Sequence, residues 1–107
     1  MKKKTKIAFA VSWAEYNHND DSLNGDVYGL YETLEKAKSA IKGSIAADVE
    51  TLLEDYEDPE DIPFEGKTPK KIAAEIMDEN FHYDSINFVL PDSREYFYSI
   101  RRMGVAA

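Results

Sequence analysis

Large apolar residues alternate with small or polar ones near the start of the chain. Ile7, Phe9, Val11 and Trp13 fall on one side, and Lys6, Ala8, Ala10 and Ser12 on the other. A period of two with the bulk on one face predicts a half-buried strand over 5–15. The small face, Ala8 and Ala10, is free to meet solvent or another surface. Residues 16–26 (YNHNDDSLNGD) are polar and predict a loop, with Asn24–Gly25 as its turn, because both residue types tolerate positive φ. Residues 27–31 (VYGLY) predict a second strand paired antiparallel with the first, and Gly29 marks a bulge or a close backbone approach.

The period then changes. Leu34, Ala37, Ile41, Ile45, Val49, Leu52 and Tyr56 recur in steps of three and four, which predicts a helix from Leu34 to about Tyr56 with Thr33 as N-cap. Gly43 lies inside that pattern at a cost of about 1 kcal/mol relative to Ala, and marks a kink or a break. Residues 57–67 (EDPEDIPFEGK) predict a linker held to the core by Ile62 and Phe64. Thr68–Pro69 restarts a helix that ends near Asn80, with Ile72, Ala73, Ile76 and Met77 on its apolar face. Phe81 to Asp84 is a connection. Residues 85–90 and 95–103 predict two more strands, and aromatics on both sides of the last one leave its core face open. The expectation is a single α+β domain over 1–107: a two-layer fold of order ββααββ, two hairpins in one four-stranded antiparallel sheet with two helices on one face. The first and last strands are expected side by side at the centre.

Charge adds a feature that the pattern does not contain. The chain has 21 acids and 13 bases, a net of -8. Residues 43–66 hold nine carboxylates and no Lys, Arg or His. The rest of the chain therefore sums to +1. On a continuing helix, Glu50, Glu54, Glu57 and Asp61 would form one stripe opposite the apolar face, with Asp48 and Asp55 flanking that face. Like charges at this spacing destabilise a helix by a few tenths of a kcal/mol per pair, on the order of 0.2–0.5. Acids in a last helical turn also oppose its dipole. One account is a solvated, solubilising face. The other is a surface for a basic protein partner, built from Asp48, Glu50, Glu54, Asp55, Glu57, Asp58, Glu60 and Asp61. Its narrowest form is nucleic-acid mimicry, although duplex DNA carries one charge per about 1.7 Å, denser than one helical stripe.

Other chemistry finds less support. No cysteine is present, so disulfides, thiolate zinc sites and cysteine nucleophiles are excluded. An EF-hand loop fails at both acidic stretches: DYEDPEDIPFEG has Glu60 at the glycine position, and a loop starting at Asn17 has Ser22 there. His18 is expected as an exposed loop residue and His82 as a packed or interfacial one. A metal-dependent hydrolase using either with nearby acids is the enzymatic alternative, but no paired-histidine spacing, nucleophile elbow or phosphate loop accompanies them. No metal or cofactor is expected. Arg94, Arg101 and Arg102 beside Tyr96 and Tyr98 could form a small nucleic-acid or protein patch, yet the acidic balance argues against direct nucleic-acid binding.

No run approaches the roughly 20 apolar residues of a membrane span, and Glu15 and Tyr16 stand where a leader would need small residues. A cytoplasmic, non-enzymatic binding protein is the expectation, and an exposed strand edge would also allow a homo-oligomer. In size, acidity and lack of catalytic motif the chain resembles the small acidic proteins of phages and mobile elements, some of which inhibit nucleic-acid-handling enzymes by imitating nucleic acid. That resemblance is one of class and assigns no residue a role.

Overall fold

The computed structural model describes residues 5–58 and 63–106. Strands β1 (Thr5–Asn17) and β2 (Ser22–Tyr31) are followed by helices α1 (Leu34–Glu54) and α2 (Pro69–Asn80), then by β3 (Phe81–His82), β4 (Ser85–Val89) and β5 (Arg94–Ala106). All the strand pairings are antiparallel, in the order β2-β1-β5-β4-β3. The fold is α+β, with β1 and β5 adjacent at the centre as expected. The sheet has five strands rather than four. Phe81–His82, expected as a connection, leaves α2 directly and pairs with Ser85 and Ile86 across a turn in which Tyr83 has φ 59°.

The first hairpin turns earlier than expected. β1 runs to Asn17 and β2 starts at Ser22, so the turn lies between them, with Asp21 at φ 57°. Asn24 and Gly25 are strand residues opposite Glu15 and Ala14. Gly25 serves close approach rather than turning: a Cβ there would sit 2.9 Å from the Trp13 carbonyl oxygen. The register shifts between Val11 and Ser12, which pair with Gly29 and Val27. Tyr28 is therefore the extra residue of a bulge, next to the glycine that predicted one.

The helices begin where their caps dictate. Thr33 Oγ1 accepts from the Lys36 N–H at 3.1 Å, and Thr68 Oγ1 from the Lys71 N–H at 3.2 Å, with Pro69 opening α2. Gly43 does not break α1, which is continuous through it, and nothing lies within 4 Å of a Cβ built there. Ala37, Ile41, Ile45, Val49 and Leu52 are buried against the sheet. α1 lies over β1, β2 and β5, and α2 over β3 and β4. One core joins them to Val11, Ile86, Phe88, Leu90, Tyr96, Tyr98 and Ile100. The face of β5 left open by its sequence is thus the tyrosine side. Phe64, in a single 3-10 turn at 64–66, packs against this core, and Ile62 lies outside the described residues.

Among the described residues nothing covers the opposite sheet face. Leu23, Val27 and Leu30 of β2, Val89 of β4, and Phe97 and Met103 of β5 are exposed beside the small residues of β1. Ser12 and Ser99 share a 2.8 Å hydroxyl hydrogen bond across its centre.

Candidate functional site

The rotation of α1 is set by its buried stripe, and that rotation sorts the acids. Ser44 and Asp48 are one turn apart on the edge of the stripe and turn toward the sheet. Beneath them, β1 presents Trp13 and Glu15 on the helix side, and register places Tyr98 and Tyr96 opposite these two. The bulge brings Tyr28 to the same place. Trp13, Glu15, Tyr28, Ser44, Asp48, Tyr96 and Tyr98 line a cleft of ≈ 200 Å³ between α1 and the sheet.

Polar contacts organise its floor and mouth. Ser44 Oγ and the Tyr98 hydroxyl are 2.8 Å apart, and the same hydroxyl lies 3.5 Å from Asp48 Oδ2, a long and weak contact. At the mouth, Arg94 Nε is 3.5 Å from Glu15 and 3.4 Å from Asp92, and its side chain hydrogen-bonds Tyr96. Burial, with the Glu15 charge second, pushes the Asp48 carboxyl above the ordinary value of 3.8. Burial first, and Asp48 next, raises Tyr96 to about 12. The Tyr98 hydroxyl is raised as well, mainly by burial. These phenols stay neutral at physiological pH, so the charges acting on Asp48 are Glu15, Asp92 and Arg94.

The rest of the acidic segment behaves differently. Glu50, Glu54, Asp55, Glu57 and Asp58 are exposed, and Glu60 and Asp61 lie outside the described residues. α1 stops at Glu54, with the N–H of the C-cap Asp55 donating to the Leu52 carbonyl and that of Tyr56 to the Leu53 carbonyl. The single stripe expected through Glu57 is therefore cut after Glu54. Asp55 does not flank the apolar face in the way that Asp48 does. The last turn of α1 contains no basic residue. Among the described residues no ion pair reaches Glu50, Glu54, Asp55 or Glu57.

His18 is exposed in the first turn, as expected. Its Nε2 lies 2.9 Å from Glu95 Oε1, and its ring meets Tyr16 edge-on at 4.6 Å. His82 is exposed rather than packed, because alternation on β3 turns Phe81 inward and His82 outward. Among the described residues no group of three or more His, Asp or Glu side chains is placed to hold a metal ion. The arginines do not form one patch. Arg94 belongs to the cleft, while Arg101 and Arg102 alternate across β5. Among the described residues no helix is long and apolar enough to cross a membrane.

Trp13, Glu15, Tyr28, Arg94 and Tyr96 were not singled out as one site from sequence. One signal was present: the side of β1 that carries Phe9, Val11 and Trp13 continues to a carboxylate at Glu15. A charge on a core-facing register position needs a cleft or a partner. No family model, curated protein or solved structure matches the chain.

Proposed function

We propose that this chain is a non-enzymatic binding protein that engages a basic protein partner through the C-terminal end of α1 and the segment after it. The observation that carries this proposal is the set of exposed carboxylates Glu50, Glu54, Asp55 and Glu57, which lack ion pairs among the described residues at a helix end without a basic residue. Acids at a helix C-terminus oppose its dipole. A basic partner would offset that penalty and the mutual repulsion together. A solvated face needs charge, but it does not need charge placed where the helix resists it.

Nucleic-acid mimicry is the narrower form of the proposal. Along α1, Glu50 and Glu54 are separated by roughly 6 Å of rise, against one charge per about 1.7 Å in duplex DNA. Imitation of a phosphate ladder therefore requires the carboxylates beyond the helix end. A basic protein surface requires only the field.

The test replaces Glu50, Glu54 and Glu57 with Gln and Asp55 with Asn together. Proteins captured from lysate by the wild type at low salt should be lost both in this variant and at molar salt, where the Debye length falls to about 3 Å. An unchanged set of captured proteins would reduce the acids to a solvated surface.

A further inference from the structure

We infer that the cleft beneath α1 is a binding site for a single alkylammonium group. Four aromatic residues, Trp13, Tyr28, Tyr96 and Tyr98, line it together with two carboxylates, Glu15 and Asp48. Aromatic faces attract organic cations through their quadrupole, and carboxylates accept hydrogen bonds from an ammonium. At ≈ 200 Å³ the cleft is smaller than the roughly 300–1,000 Å³ of small-molecule pockets, so it suits one extended side chain or a small amine.

The charge balance points the same way. Among the described residues, Glu15, Asp48 and Asp92 face one cation, Arg94. Arg94 is held at the mouth by Glu15, Asp92 and Tyr96, and no ion pair reaches Asp48 among the described residues. Among the described residues, the one hydrogen-bonding group near the Asp48 carboxylate is the Tyr98 hydroxyl at 3.5 Å, which is also 2.8 Å from Ser44. Among the described residues no lysine lines the cleft. A half-buried carboxylate with one weak neutral neighbour is a costly arrangement unless a cation completes it. The site rests on this geometry alone, so it stands even if the outer acids only solvate the surface.

Trp13 is the sole tryptophan, so its emission reports on this cleft. Butylammonium chloride is titrated at constant ionic strength against 1-butanol and sodium chloride, using the intact chain. Butylammonium should give a saturable emission change that the neutral isostere and the salt do not. Asp48→Asn should weaken it at least tenfold, with circular dichroism showing the same fold, and Glu79→Gln, at an exposed position of α2, should leave it within twofold. No saturable change, or equal affinity in Asp48→Asn, overturns the site. A parallel titration with Nα-acetyl-lysine N-methylamide identifies the source. Binding of both probes supports a protein-borne lysine, and binding of butylammonium alone supports a free amine.

Discussion

Asp48 and Glu50 are two residues apart on one helix and have opposite surroundings. At about 100° per residue the helix turns by roughly 200° between them. Glu50 reaches solvent, while Asp48 lies half-buried in a cleft it shares with Trp13, Glu15 and three tyrosines. Composition treats them as two of nine equivalent acids. Among the described residues, the fold divides these acids into an outer group, where charge is cheap in solvation and opposed by the dipole, and one inner carboxylate, Asp48, whose ionised form is disfavoured by burial and by Glu15. The rotation of α1 decides which acid is which, so the contrast can be broken at that rotation or on either side of it.

The largest effect should come from removing what sets the rotation. Ile45 is fully buried between the turns that carry Ile41 and Val49, and it is next to Ser44. Ile45→Ala should cost about 2–5 kcal/mol, the range for deleting a buried aliphatic side chain. Urea denaturation should show a lower midpoint with an unchanged slope. If α1 were held mainly by its cap and by contacts along its exposed side, the loss would stay below about 1 kcal/mol.

A smaller effect is expected at the inner carboxylate. The folded-state titration of Asp48 is raised, so the protonated form is favoured in the fold. Its contribution to stability is fully present below 3.8 and is lost as pH rises through the raised folded value. Asparagine is permanently neutral and resembles the protonated acid. Asp48→Asn should therefore stabilise the protein at neutral pH, by less than about 1 kcal/mol because the site retains solvent contact. The gain should vanish in acid. Thermal melts of both proteins across that range read the difference. A substitution that stabilises the fold while weakening butylammonium binding would show a group kept for binding at the expense of stability.

Most of the fold was legible because its signals are local. Thr33 and Thr68 announce the helix starts, Pro69 the first position of α2, and the steps from Ala37 to Leu52 the buried stripe. The errors arose where a local signal had a non-local cause. Asn24–Gly25 resembles a turn, but Gly25 is small because the Trp13 carbonyl comes close to it from the neighbouring strand. The two sides of β5 carry similar aromatics, and only the docked helices decide between them. The candidate site was legible in part. Periodicity placed Asp48 beside the apolar stripe. It could not bring Glu15, Tyr28 and Tyr96 to it, since that required the β1–β5 register and the bulge at Tyr28. The outer acids were visible as charge, but the end of α1 at Glu54 broke the stripe that a longer helix would have formed.

The smallest predicted effect belongs to the outer group. Glu54 is the last residue of α1, exposed and without an ion pair among the described residues. Its charge sits against the partial negative charge of the helix end. Glu54→Gln keeps the shape and removes the charge, so it should stabilise the protein by about 0.3 kcal/mol at low ionic strength. Salt should erase most of that gain, because an exposed charge is screened over about 10 Å at 0.1 M. Asp48→Asn should keep more of its gain at the same salt, since screening reaches a half-buried group less well. Melts of the two variants with and without added salt therefore separate the sides of the helix without reference to any ligand. Equal salt sensitivity would place Asp48 in the same solvent environment as Glu54, and the division of the acids into inner and outer groups would fail.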